Sequence, residues 1–214
     1  MTVQEPRPTP RPDGAAVLPL VRAALEERGT SGARGPVVVG IDGRSGSGKS
    51  DLAADVAGRL RAEPGLGEPD LGEPGAVVVI ALEDAYRGWH GLAVGVGAVA
   101  SGVLEPLSRG LPGSVRTYDW HRGTLGDRLQ VPAPGDPAPR VVVIEGCGAG
   151  SAVCAPFLDV LVWLDAPAHV RRERALARDD GSWAHLWDDW AGQERALLDA
   201  RDARAAADLV LHTG

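Results

Sequence analysis

Four short apolar runs punctuate the chain: "PVVVGID" from Pro36, "AVVVIAL" from Ala76, "RVVVIEG" from Arg140 and "LDVLVWLDA" from Leu158. Each is rich in β-branched residues and has no alternating polar position, the pattern of a strand buried on both faces. A shorter run of the same kind, "ADLVLHT", begins at Ala207. The stretches between them are helix-like. "AAVLPLVRAALEERG" sets Val17, Leu20, Val21, Ala24 and Leu25 on one helical face, with Gly29 as the predicted stop. Strand and helix therefore alternate, which predicts an α/β domain built on a parallel sheet with helices on both faces.

Two segments break the pattern. Residues 63–75 repeat "LGEP" and are expected to form an exposed linker, and "VPAPGDPAP" from Val131 reads as a loop before the third strand. Residues 1–13, rich in proline, read as a disordered or polyproline-like tail, which leaves 14–214 as one domain. With 44% hydrophobic residues, a 214-residue chain has enough apolar surface for one full core. The formal net charge of -7, with no Lys/Arg block, argues against nucleic acid or an anionic membrane as partner. Cys147 and Cys154 lack the company of a metal site and read as reduced, buried thiols. No secretory core and no run of about 20 apolar residues is present, so a soluble cytoplasmic protein is expected.

The chemistry begins at "GRSGSGKS", Gly43 to Ser50, which satisfies G-x-x-x-x-G-K-[ST] between a buried strand and a helix. Gly43, Gly46 and Gly48 let the backbone wrap an anion with its N–H groups inward, and Ser45 and Ser47 belong to the same cradle. Lys49 is placed to reach the β- and γ-phosphates of ATP, and the Ser50 hydroxyl to complete a Mg²⁺ shell. A P-loop NTPase fold follows.

Glu83 and Asp84 leave the second strand at the sheet edge where open α/β sheets bind ligands, and either could accept the proton of an attacking hydroxyl. Tyr86 and Trp89 follow closely enough to wall a pocket for a small ring. Glu145 ends the third strand, the position at which P-loop proteins hold a carboxylate near the metal. Arg171, Arg174 and Arg178 fall on one face of a later helix; facing phosphates, Arg174 and Arg178 are the choice for a catalytic lid spanning about 168–185. Trp183, Trp187 and Trp190 form a helical stripe that reads as core packing, outside the site.

"IDGRSGSGKS" followed by "LEDAYRGWHGL" resembles the uridine kinase and phosphoribulokinase group of P-loop kinases. The likeness runs from about Val37 onward. It implies a three-layer fold with a small helical lid and a general base at the acidic pair, Glu83 by position or Asp84 by residue type. Ala85 stands where the group carries a bulky apolar residue. "VRTYDWHRG" is similar to a nucleoside-kinase stretch that contacts the acceptor, which would give Tyr118, Asp119, His121 and Arg122 that role. The expected function is Mg-ATP-dependent transfer of the γ-phosphate to a hydroxyl of a nucleoside or another small-molecule alcohol. The alternative is a nucleotide-binding regulatory or assembly protein that hydrolyses ATP slowly and has no acceptor. A small-molecule acceptor is the expected partner, and the sequence leaves a homo-oligomer open.

Overall fold

A computed structural model of the chain describes residues 13–32, 34–62, 75–178 and 181–214. The chain runs α1 (Leu18–Ser31), β1 (Val37–Asp42), α2 (Lys49–Ala62), β2 (Val77–Ala81) and α3 (Leu92–Val99). A π-helical segment, Ala100–Leu104, joins α3 to α4 (Glu105–Ser108). There follow β3 (Gly113–Asp119), β4 (Thr124–Val131), β5 (Val141–Glu145), β6 (Val160–Asp165), α5 (Ala168–Arg178), α6 (Trp187–Ala200) and β7 (Leu209–His212).

Every apolar run is a strand of one parallel sheet, ordered β2-β5-β1-β6-β7. Successive side chains point to opposite faces, and both faces are covered. Val37, Val39 and Ile41 meet Val17 and Val21 of the first helical segment and Leu52, Val56 and Leu60 of α2. Val38, Ile80, Val142 and Ile144 meet Leu92, Val96 and Val99 of α3 and Trp190 of α6. The sheet is thus the middle of three layers. This double burial explains why the strands carry no polar alternation.

Sequence and structure part in three places. Helix α1 does not stop at Gly29, which faces open space within the helix; it runs to Ser31 and ends at Gly32, whose φ of 67° is the left-handed C-cap geometry. The stretch around "VRTYDWHRG" is an antiparallel hairpin, β3 with β4, paired from Gly113↔Val131 to Asp119↔Thr124. It escapes apolar pattern-reading because β4 is mostly exposed and needs no hydrophobic run. The three tryptophans are not one stripe either, since α6 begins at Trp187 and Trp183 precedes it across a 3-10 turn, Ala184–Leu186. The tail and the 63–75 linker lie outside the described residues, apart from Gly75 and Asp13; Asp13 caps the short 3-10 turn Gly14–Ala16 by accepting from Ala15 N at 2.9 Å. Among the described residues no helix is long and apolar enough to cross a membrane.

Candidate active site

The phosphate loop is the chain between β1 and α2, so its amides lie at the carboxyl edge of the central strand and at the start of a helix. Gly46 has a φ of 80°, and a Cβ there would overlap the carbonyl oxygen of Arg171. Only glycine permits both the turn and this approach of α5. The loop is braced from beneath. Buried Asp42 accepts from Gly43 N at 2.7 Å, Gly148 N at 3.0 Å and Gly150 N at 2.8 Å, tying the loop to the segment after β5. Burial pushes the Asp42 carboxyl up, against the opposing pull of those amides and of Lys49.

Lys49, the first residue of α2, is buried and donates from Nζ to Arg44 O at 3.2 Å. Burial pulls its ammonium down, but Cys147, Glu145, Glu194 and Asp42 together outweigh burial and hold it above its ordinary value. At neutral pH the pull comes from the carboxylates, because burial pushes the Cys147 thiol up to about 12. Lys49 is therefore a fixed cation.

Ser50 donates from Oγ to Glu145 Oε1 at 3.0 Å. This pairing follows from the sheet register: Ile41 sits beside Glu145, so the end of β5 faces the start of α2. Burial raises the Glu145 carboxyl; Lys49 and Ser50 oppose the rise, and Glu83 and Asp84 add to it. Among the described residues no group of three or more His, Cys, Asp or Glu forms a ready-made metal cage. Mg²⁺ needs no such cage, since it takes one or two protein oxygens and fills its shell with phosphate and water. Ser50 and Glu145 supply such a pair.

Glu83 and Asp84 lie in a 3-10 turn, Leu82–Ala85, directly after β2. They diverge. Glu83 lines the cavity in front of the loop, and its Oε1 is 3.7 Å from Arg178 Nη2. Asp84 is outside the cavity lining, and partial burial raises its carboxyl. The arginines of α5 diverge as well. Arg174 and Arg178 line the cavity, whereas buried Arg171 spends its guanidinium on Ala166 O and Ser45 O, both at 3.2 Å. Arg174 donates to Thr213 Oγ1 at 3.2 Å, and Thr213 donates to Ser47 O at 2.8 Å, so the lid helix is linked to the phosphate loop through the strand-end residue Thr213.

The cavity measures about 330 Å³ and passes from Gly46, Gly48, Lys49 and Ser50 to an aromatic wall. Tyr86 and Trp89 belong to that wall, as their position after β2 predicts. Tyr118, Asp119, His121 and Arg122 do not reach it. Asp119 folds back into its own turn, accepting from His121 N at 3.0 Å and Arg122 N at 2.9 Å, and Arg122 Nε stays 3.6 Å from its carboxylate. Tyr118 packs edge-on against Trp120 with ring centroids 5.4 Å apart, and it is Trp120 that lines the cavity.

The remaining wall comes from Trp183 and Trp190, which the helical stripe assigns to the core. They are core residues, each buried, and they line the cavity as well. A polar node behind them was not foreseen. Glu194 Oε1 accepts from Ser45 N at 2.7 Å, Trp190 Nε1 at 3.1 Å and Cys147 Sγ at 3.2 Å, while Trp190 Nε1 also donates to Ser45 Oγ at 2.7 Å. The only sequence signal is the spacing of Trp190 and Glu194, one helical turn apart in α6.

No protein-family model matches the chain. Solved structures do. A structure described as a possible uridine kinase from Bacillus stearothermophilus is 20% identical and superposes with a TM-score of 0.55, covering 92% of this chain and 99% of that one. A D-glycerate 3-kinase from Cryptococcus neoformans is 13% identical with a TM-score of 0.53, covering 86% of each chain. The chain shares the α/β fold of these two structures, a parallel sheet between two layers of helices. In this fold the hairpin contributes Trp120 and α5 contributes Arg174 and Arg178 to the cavity lining.

Proposed function

We propose that the protein is a Mg-ATP-dependent phosphotransferase that moves the γ-phosphate to the hydroxyl of a small-molecule alcohol. One observation carries the reading: a single cavity joins the loop residues Lys49 and Ser50, the acids Glu83 and Glu145, the lid arginines and an aromatic wall. A nucleotide switch needs the loop but has no use for a walled chamber beyond it.

The residues divide the work by position. Gly43, Ser45, Gly46, Ser47 and Gly48 form the cradle around the phosphate chain, with the Gly43, Ser45 and Ser47 amides turned to Asp42, Glu194 and Arg44 O, and Lys49 sets a fixed positive charge beside the β- and γ-phosphates. Ser50 and Glu145 would hold Mg²⁺, which would supply positive charge against the phosphate chain. Glu83, on the cavity wall, takes the hydroxyl proton as the acceptor oxygen bonds to the γ-phosphorus and the bond to the β-phosphate oxygen breaks, releasing ADP. Asp84, its neighbour in the 3-10 turn, stays outside the cavity lining. Arg174 and Arg178 bring positive charge to the transferring group and exclude water when the lid closes.

The test is ADP release measured across nucleosides, sugars and amino alcohols against a blank without acceptor. A kinase gives acceptor-dependent release that Lys49→Met abolishes while the circular-dichroism spectrum is kept. Uniform background release across the panel is the result expected of a regulator and overturns the assignment.

A further inference from the structure

Four of the six tryptophans, Trp89, Trp120, Trp183 and Trp190, line the cavity that holds Lys49 and Ser50. Their arrangement restricts what fits. A flat base is gripped between two parallel rings, which must stand about 7 Å apart, two van der Waals contacts of about 3.5 Å each. The near-parallel pair, Trp89 and Trp183 at 22°, has centroids 5.0 Å apart and admits nothing between. The other two rings stand across Trp89, Trp120 at 63° and Trp190 at 82°. Their planes face different directions, as the walls of a box do.

Among the described residues, the aromatic part of the cavity adds no amide or imidazole to read a base; the polar lining is the charged side chains and serines around the phosphate loop. Trp120 Nε1 donates to Glu83 O at 3.3 Å, Trp190 Nε1 to Ser45 Oγ at 2.7 Å and the Tyr86 hydroxyl to Cys147 O at 2.9 Å. These polar edges are turned to the protein, and among the described residues no Asn, Gln or His lines the cavity. What the rings offer is their electron-rich faces, which attract cations. The charges point the same way. Lys49, Arg174 and Arg178 are matched in number by Asp51, Glu83 and Glu145, so bound Mg-ATP tips the loaded cavity negative. An anionic acceptor is disfavoured there, and a cationic one is drawn in.

We propose that the acceptor is an amino alcohol, its ammonium group held at the indole corner of Trp89, Trp120 and Trp190, with Trp183 stacked behind Trp89, and its hydroxyl directed to Glu83. This rests on the phosphotransferase reading above and names its substrate class. The step balances as written there: the hydroxyl oxygen bonds to the γ-phosphorus, its proton passes to Glu83, ADP leaves, and the ammonium is unchanged. Trp120, on the partly exposed end of the hairpin, is the specificity determinant open to substitution without loss of the core.

The test uses the full chain loaded with Mg-ADP and a matched pair of probes, choline and its uncharged isostere 3,3-dimethylbutan-1-ol, with ethanolamine and dimethylethanolamine alongside. Binding is followed by tryptophan fluorescence and calorimetry. At least one ammonium alcohol is expected to bind at least tenfold more tightly than the isostere. Trp120→Leu, which keeps an apolar wall and removes the π face, is expected to erase most of that preference while leaving the isostere's affinity nearly unchanged. Equal affinity for the charged and uncharged probes, no binding of any ammonium alcohol, or an equal loss for both probes in Trp120→Leu overturns the proposal. The two readings fail separately. Phosphorylation of uridine or a neutral alcohol with no ammonium binding removes the cage and leaves the kinase; selective ammonium binding with no phosphate transfer to any acceptor keeps the cage and removes the kinase.

Discussion

Glu194 is the residue on which the phosphate loop leans from outside. Buried, it satisfies the Ser45 amide and the Trp190 indole with one oxygen, so the nucleotide cradle and the aromatic wall share a support. Removing it takes the acceptor from the part-buried Ser45 amide and leaves the Trp190 indole with Ser45 Oγ. Glu194→Ala is therefore expected to cost about 1–3 kcal/mol in urea unfolding and to weaken Mg-ADP binding, whereas Glu194→Gln, which keeps an accepting oxygen, restores most of both. Equal damage from the two substitutions would show that charge, not hydrogen bonding, sets the loop. Glu145 behaves differently, because its cost is electrostatic. Its carboxyl is raised in the folded protein, chiefly by burial, so between the ordinary carboxylate value and the raised one the folded state binds more protons than the unfolded. Stability then falls as pH rises through that window. Glu145→Gln is expected to raise the urea midpoint of the nucleotide-free protein at pH 7, with the gain vanishing below about pH 4, the range in which an unfolded glutamate takes up its proton. The same substitution is expected to abolish the Mg²⁺ dependence of nucleotide binding, read by calorimetry.

At the level of elements, the hairpin of β3 and β4 and the helix α5 are the two parts that reach over the cavity. The hairpin turn depends on Asp119, whose side chain holds the amides of His121 and Arg122. That assignment is distinct from acceptor contact, and it is measurable. Asp119→Ala is expected to cost about 1 kcal/mol in unfolding, the net value of a lost hydrogen bond, while Mg-ADP affinity by calorimetry stays within about twofold. A residue in contact with substrate would leave stability unchanged instead. On the other side, Arg171 anchors the base of α5 to the carbonyls of Ser45 and Ala166, leaving Arg174 and Arg178, further along, at the cavity. The i, i+3, i+7 spacing put all three on one face, but helical periodicity does not register how far each lies from the loop. Arg171, nearest the loop, is absorbed into backbone contacts.

Across the whole molecule, burial on both faces of the sheet is what made the fold legible. Val37 to Ile41 and Val141 to Ile144 must be apolar at every position because α1 and α2 cover one side and α3 and α6 the other. The phosphate loop was legible for a local reason, since its glycines, Lys49 and Ser50 act within one turn of chain. Glu83 and Glu145 were legible as strand ends, because a parallel sheet brings those ends to one edge. The hairpin was hidden by its exposure, and Gly32 in place of Gly29 as the end of α1 turned on backbone conformation that composition does not encode. The choice of Glu83 over Asp84 for the cavity, the entry of Trp120, Trp183 and Trp190 into its wall, and the Glu194 node depend on where side chains from distant segments converge. Sequence alone determined the sheet, the glycine-rich loop after β1 and the acids at the strand ends beside it, because those follow from periodicity and local geometry. Only the tertiary structure decided which residues line the cavity, because that is set by the packing of the hairpin, α5 and α6 around a space that no single stretch of chain encloses.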